Sequence, residues 1–196
     1  MKYWLMKTEP DEFSIGDLAT RRTEPWTGVR NPMARNHMRA MTVGDGVLFY
    51  HSSCSPPGVA GLARVCAASH VDPSQFDRAS DYYDAKSTPA KPRWDCVDVE
   101  YVSTFATFVS LDRIRAEPAL ADMVVLRAGR LSVQPVRDAE YARIVAIGED
   151  PSPPPVAVVK RPAAKPKRPA PPRGAAARPG KPKRAVGKRA KVRRGR

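Results

Sequence analysis

Short apolar runs alternate along this chain with polar turns rich in glycine and proline, and the spacing predicts a series of small elements. Tyr3-Trp4-Leu5-Met6-Lys7 predicts a first, buried strand, which Thr8-Glu9-Pro10 ends because proline has no N–H for a central ladder. Ser14, with Asp17 three residues on, has the spacing of a capping box and predicts a short helix through Leu18. Asn31-Pro32 reads as an N-cap and first helical residue, starting a helix that turns Met33, His37 or Met38, and Met41 toward the core. Val43-Gly44-Asp45-Gly46 predicts a turn into the strand Val47 to His51. Val59 to Ala67 returns beyond a Ser/Pro/Gly loop as its antiparallel partner. A long polar loop follows over 72–92 and should pack over something to stay ordered.

Val97-Asp98-Val99-Glu100-Tyr101 alternates with the period of a half-buried strand. Ser110-Leu111-Asp112-Arg113 begins a helix, and Ala119 to Leu126 predicts another, closed by Gly129 beyond its C-terminus. Leu131 to Val136 reads as a strand. Asp138 then caps a last helix with Tyr141, Ile144 and Val145 on one face. Strands flanked by short helices, without regular βαβ alternation, predict an α+β fold around a small, mostly antiparallel barrel.

Composition changes this picture only at the C-terminus. Residues 151–196 hold 16 of the 34 Lys and Arg residues and none of the 20 Asp and Glu, so residues 1–150 carry 18 basic against 20 acidic groups. The formal charge of +14 therefore belongs to the tail alone. With 11 of the 21 prolines and no aromatic residue, the tail cannot bury enough apolar surface to offset its ordering entropy. It is expected to be disordered and extended, and to bind nucleic acid through counterion release without sequence preference. Solubilisation is the other reading of such a segment. Residues 1–150 are expected to form one domain.

No apolar run reaches the roughly 18 residues that a membrane span needs, and Met1-Lys2-Tyr3-Trp4 has no signal-peptide character. Three scattered cysteines (Cys54, Cys66, Cys96) read as reduced thiols of a cytoplasmic protein. His37, His51 and His70 lack metal-type spacing, no phosphate-binding glycine motif is present, and no metal or cofactor is expected. His51 and Cys54 leave a thiol–imidazole couple conceivable. Asp81-Tyr82-Tyr83-Asp84 reads as a solvated loop.

What remains is recognition chemistry. Trp26 stands beside Thr27 and Arg30-Asn31, and Trp94 follows Lys91-Pro92-Arg93. Large aromatics at polar turns suit a stacked base, whose edge asparagine side chains and backbone amides can read. A tryptophan plugging one end of the barrel is the competing structural reading.

Several of these segments resemble the signature of the EVE domain family. They are Tyr3 to Pro10, Trp26-Thr27-Gly28-Val29-Arg30-Asn31, Ala34-Arg35-Asn36, Phe49-Tyr50-His51-Ser52, Pro57-Gly58-Val59-Ala60-Gly61, Pro92-Arg93-Trp94 and Arg130 to Val136. The resemblance implies a PUA-like curved barrel related to YTH domains, a non-catalytic reader of modified bases, and association in bacteria with modification-dependent restriction. It implies that Trp26 takes the place of the first YTH cage tryptophan. Lys7-Thr8 would stand where YTH has a Lys-Ser pair lining the pocket, and Tyr50-His51-Ser52 where its strand leads into the second cage aromatic. Glu9 replaces an asparagine there, which argues against methyladenosine.

The expected site therefore comprises Lys7, Thr8, Trp26, Thr27, Asn31, Tyr50, His51, Ser52 and Trp94, with Arg30, Arg35 and Arg93 on flanking phosphates. The expected partner is nucleic acid, DNA ahead of RNA, with modified cytosine the leading base and a nuclease or restriction system as a possible associate. Two other classes compete: a nucleoid-type DNA-binding protein acting through its tail, and a hydrolase using Cys54 and His51.

Overall fold

The computed structural model describes residues 1–151; from residue 152 the expected basic tail lies outside the described residues. In chain order the elements are β1 (Tyr3–Thr8), α1 (Ile15–Arg21), β2 (Thr23–Pro25), α2 (Pro32–Arg39), β3 (Gly46–His51), β4 (Gly58–Val71), β5 (Asp95–Ser110), α3 (Leu111–Ala116), α4 (Val124–Arg127), β6 (Val133–Val136) and α5 (Asp138–Glu149). The six strands form one mixed sheet in the order β2-β5-β4-β3-β1-β6. The β1–β3 pair is parallel, in register from Tyr3↔Gly46 to Thr8↔His51, and the other pairs are antiparallel. A parallel pair needs a long crossover, and here α1, β2 and α2 all lie within it.

Alternation along the strands divides the apolar side chains between two cores, one on each face. Trp4, Met6, Val47 and Phe49 join α1 and α2 through Ile15, Leu18, Ala34 and Met38. Leu5, Leu48 and Tyr50 point the other way, to Ile114, Ile144 and Ile147. Helix α2 packs on both β5 and β6, four strands apart in the sheet, so the sheet curls around it. Four register shifts along the β4–β5 pair add to the bend. The end strands β2 and β6 do not pair with each other, so the hydrogen bonding of the expected barrel stays open.

Several sequence expectations need correction. Met33 is 59% exposed, because with Pro32 as the first helical residue the inward face of α2 falls on Ala34 and Met38. Gly129 does not adopt a left-handed cap; the positive-φ glycines among the described residues are Gly28 and Gly44. The helix expected over 119–126 is a 3₁₀ turn at Pro118–Leu120 followed by α4. Leu120, Met123 and Val125 are all buried, and on one continuous helix the first and last would diverge by about 140°. Asp138 is the first residue of α5 and not its cap; Glu140 reaches back to the Arg137 N–H at 2.9 Å. Strand β2 was not anticipated, and β5 runs nine residues beyond its expected end at Tyr101.

One buried carboxylate ties the N-terminus to this frame. Asp45 accepts from Lys2 N (2.8 Å), Trp4 Nε1 (3.0 Å), Thr42 N (3.1 Å) and Thr42 Oγ1 (3.1 Å). Burial pushes its carboxyl up, but these bonds outweigh burial and hold it below the ordinary 3.8. The folded form thus favours the charged group, and this stabilisation is present above pH 3.8 and lost as pH falls through the folded value. Asp45→Asn should lower the unfolding free energy at pH 7 by about 1–3 kcal/mol. In urea titrations the gap from wild type should shrink below pH 3.8; a gap independent of pH would contradict this role.

Candidate functional site

Where β1 and β3 end side by side, a cavity of about 670 Å³ opens at the sheet edge. Its walls come from four segments: Lys7 to Phe13 at and beyond the end of β1, Arg21 and Glu24 to Asn31 from the end of α1 to the start of α2, Ser52-Ser53 after β3, and Gly129 to Ser132 before β6. Tyr82 reaches in from the long loop. Each wall is fastened by backbone bonds. Ser52 donates to the Thr8 carbonyl through its N–H (2.8 Å) and its hydroxyl (3.1 Å). Trp26 N–H donates to Val97 O at 2.7 Å, and Lys7 N–H to Ser132 O at 2.9 Å.

Of the residues expected at the site, Lys7, Thr8, Trp26, Thr27, Arg30, Asn31 and Ser52 line this one cavity. Trp26 is only 7% exposed. Phe13 and Phe49 meet it edge-on, at 6.5 Å and 81° and at 5.4 Å and 84°, and fix its plane. Asn31 Oδ1 is occupied as the cap of α2, accepting from Met33 N (2.8 Å) and Ala34 N (3.2 Å), which leaves its amide hydrogens as donors. Lys7 Nζ donates to Gly129 O at 2.9 Å, and burial pushes its ammonium pKa down.

Tyr50, His51, Trp94, Arg35 and Arg93 do not line the cavity. Strand alternation gives the reason for Tyr50. Phe49 faces Trp26, so the next side chain points into the opposite core, where burial pushes the phenol up to about 12. His51 Nε2 accepts from Ile15 N–H at the start of α1 (3.2 Å), a bond that requires the neutral ring, and burial pushes its pKa down accordingly. The Cys54 thiol bonds to the carbonyls of His51 (3.7 Å) and Pro56 (3.3 Å), and burial pushes it up, the opposite of an activated nucleophile.

Trp94 is the anchor of the long loop. Its Nε1 donates to Asp84 Oδ2 at 2.7 Å, and the guanidinium groups of Arg30, Arg35 and Arg93 surround its ring at 5.6, 5.6 and 5.7 Å. The expected phosphate contacts are thus committed internally. Arg35 donates to Arg93 O (2.7 Å), Arg93 pairs with Asp84 (2.9 Å), and Arg30 bonds Asp72 (2.7 Å), Ser74 Oγ (2.9 Å) and Tyr82 O (2.7 Å). Buried Gln75 uses both ends of its amide, donating to the Asp72 and Trp94 carbonyls and accepting from the N–H groups of Arg93 and Trp94. These bonds order the loop.

Asp72 joins that loop to the cavity wall. Its buried carboxylate accepts from Arg30, Gly28 N (3.0 Å), Ser74 N (2.8 Å) and Ser74 Oγ (2.6 Å). Burial pushes its carboxyl up, but the bonds from Arg30, Ser74 and Gly28 outweigh burial and hold it below the ordinary range. Gly28 has φ +81°, and a Cβ there would meet the Tyr82 ring at 2.8 Å. Only glycine suits both the backbone and the close approach.

Among the cavity residues that were not site candidates, three bring chemistry of their own. Tyr82, 38% exposed, brings an aromatic ring to the rim, under the Arg30 guanidinium at 5.6 Å. Its apparently solvated surroundings hid it, and the nearest signal was Gly28. Arg130 is exposed on the rim and has no hydrogen bond or ion pair among the described residues; only its place in a family-like motif marked it. Glu9, noticed as a departure from YTH, lines the cavity as well. Among the described residues no group of three or more His, Cys, Asp or Glu side chains is arranged to hold a metal ion. No described helix is long and apolar enough to cross a membrane.

Comparison with known proteins adds to this geometry. The family model described as EVE domain matches residues 2–147. Thymocyte nuclear protein 1 of Homo sapiens is 36% identical over 166 residues, covering 75% of this chain and 74% of its own. A hypothetical protein from Leishmania major superposes with a TM-score of 0.75 at 48% identity, covering 76% of this chain and 95% of that one. The human THYN1 protein, crystallised in complex with 5-methylcytosine-containing DNA, superposes with a TM-score of 0.73 at 34% identity, covering 76% and 99%.

Asp72→Ala leaves the half-buried Arg30 without its partner and should cost about 3 kcal/mol. It should also expose Arg78 and Lys86 to faster tryptic cleavage in the native protein. Cleavage at the wild-type rate would mean that the loop is held by other contacts.

Proposed function

The chain belongs to the EVE domain family, and on that premise we propose that it reads modified bases in DNA, modified cytosine first, by admitting the base to the Trp26 cavity. The observation that carries this reading is the cavity itself: a tryptophan locked in plane among polar edges, in a chain similar to one crystallised with 5-methylcytosine-containing DNA. An extruded base would stack on Trp26, with Tyr82 closing from the rim in place of Tyr50 and Trp94. The groups set to read its edge are Thr8, Thr27, Asn31 and Ser52. Arg130 and Lys7 would meet flanking phosphates, because Arg30, Arg35 and Arg93 are spent within the fold.

Stacking contributes roughly 1–3 kcal/mol per base, so the cavity alone would bind weakly. The 16 basic residues of the tail would supply sequence-independent affinity and keep the domain near DNA. A nuclease acting beside this reader is part of the proposal. Catalysis by the chain itself is not, since His51 and Cys54 are both committed to structural bonds.

Trp26→Ala would cost about 3–5 kcal/mol of stability, because the ring is part of a core. Trp26→Phe is the informative variant. It should keep the fold and weaken binding to a 5-methylcytosine oligonucleotide roughly fivefold, leaving binding to unmodified DNA unchanged. Equal loss on both oligonucleotides, or none, would sink the reading.

The tail has its own test. The Leishmania major protein is matched over 95% of its length by 76% of this chain, which supports taking residues 1–150 as a unit that folds alone. Removing the residues after Asp150 should abolish most of the salt dependence of binding and leave the preference for the modified base. A preference that vanishes with the tail would favour the nucleoid-type alternative.

A further inference from the structure

Three carboxylates face the cavity, and they differ in what they have left to offer. Both oxygens of Glu24 accept from Arg21, at 2.9 Å each. Glu12 stands 3.5 Å from the Tyr82 hydroxyl. Glu9 is held on one side only: Ser53 Oγ donates to its Oε1 at 2.6 Å, and Oε2 has no partner among the described residues. The backbone beneath it is fixed, because the Glu9 carbonyl accepts from Glu12 N (3.0 Å) and Phe13 N (2.9 Å).

Ser53 itself is held in an uncommon conformation. Its φ of +56° is one of two positive values among the described non-glycine residues. Such a conformation costs on the order of 1–3 kcal/mol and persists where the surroundings demand it. Here it sets a hydroxyl against one oxygen of Glu9 and leaves the other unpaired on a residue that lines the cavity. Ser52 next to it is tied to Thr8, so both ends of this contact rest on paired strands.

We propose that Glu9 is the residue that sets base specificity, accepting the exocyclic amino group of a cytosine-type base through Oε2. The inference rests on the base-pocket reading and adds the chemical rule of selection. Cytosine presents a 4-amino donor where thymine presents a 4-keto acceptor. A carboxylate bonds the first with charge assistance and leaves the second as an acceptor facing an acceptor. 5-Methylcytosine and thymine carry the same 5-methyl group, so stacking and methyl contacts would hardly separate them. Glu9 would, and a site built to bond one group rejects the analogue lacking it far more strongly than a merely apolar pocket can.

The test uses the full chain and three oligonucleotides identical except for a central 5-methylcytosine, cytosine or thymine, with salt high enough to suppress the tail's contribution. Wild type should bind the 5-methylcytosine strand at least roughly tenfold tighter than the thymine strand. Glu9→Gln, whose amide offers a donor as well as an acceptor, should lose about tenfold on 5-methylcytosine and bring the two strands within about threefold. Ser53→Ala should narrow the ratio partly, and Glu12→Gln should not change it. Thermal unfolding of each variant checks that this exposed position leaves the fold intact.

A Glu9→Gln protein that keeps the wild-type ratio overturns the inference. If 5-methylcytosine is still preferred to cytosine in a Trp26-dependent way, the base-pocket reading stands and only the role of Glu9 falls. If wild type binds all three strands equally, both fall together.

Discussion

The cavity keeps its shape because a buried carboxylate, Asp72, is surrounded by donors from two segments distant in sequence. Gly28 and Arg30 belong to the loop that carries Trp26, and Ser74 to the loop that carries Tyr82. A charge removed from water is tolerated only when its lone pairs are occupied, and four donors occupy these. The nearby Cys96 thiol is pushed up to about 12, first by burial and next by the Asp72 charge. Trp26 and Tyr82 are thus positioned through one electrostatic junction, with Trp94 and its three arginines as the outer brace.

That arrangement bears on where the protein can meet a phosphate. A sequence with Arg30, Arg35 and Arg93 flanking two tryptophans invites the idea of a basic rim. In the fold these side chains bond Asp72, Asp84 and backbone carbonyls. What remains at the cavity is Arg130, a partly buried Lys7 and Arg21, which is paired with Glu24, and residues 1–150 have slightly more acidic than basic groups. Selectivity and attraction are therefore separable. On the proposed reading the cavity would choose the base with little long-range field, and the tail, which has charge and no aromatic residue, would supply the attraction.

Much of the fold was legible because local signals agreed with one another. The Ser14 and Asn31 caps, the proline after β1 and the period of Val97 to Tyr101 in β5 each fixed a boundary or a face. Part of what failed depended on tertiary context. Met33 lies one residue from the buried stripe of α2, a margin that apolar identity alone cannot resolve. The second half of β5 (Val102 to Ser110) holds two valines, two threonines and two phenylalanines, residues that strands favour, so its signal was in the sequence and was passed over; pairing with β4 carries the strand to Ser110. At the cavity, the expected residues adjacent to Trp26 come together because neighbours in sequence are neighbours in space. Tyr82 could not be found that way, since its place follows from Asp72 and Gln75 anchoring a loop some fifty residues further along. Tyr50 was misplaced although the alternation that puts it on the far face was visible.

The three tryptophans offer the most direct test of the base-pocket claim, since each indole has a different setting. Trp4 donates to Asp45, Trp94 to Asp84, and Trp26 lines the cavity. Titrating the ¹⁵N-labelled protein with a 5-methylcytosine oligonucleotide, and following the three indole N–H resonances, distinguishes them. The account predicts a saturable shift of Trp26, with Trp4 and Trp94 nearly still and a weaker response to unmodified DNA. A shift at Trp94 with Trp26 unmoved, or identical responses to both oligonucleotides, would contradict it.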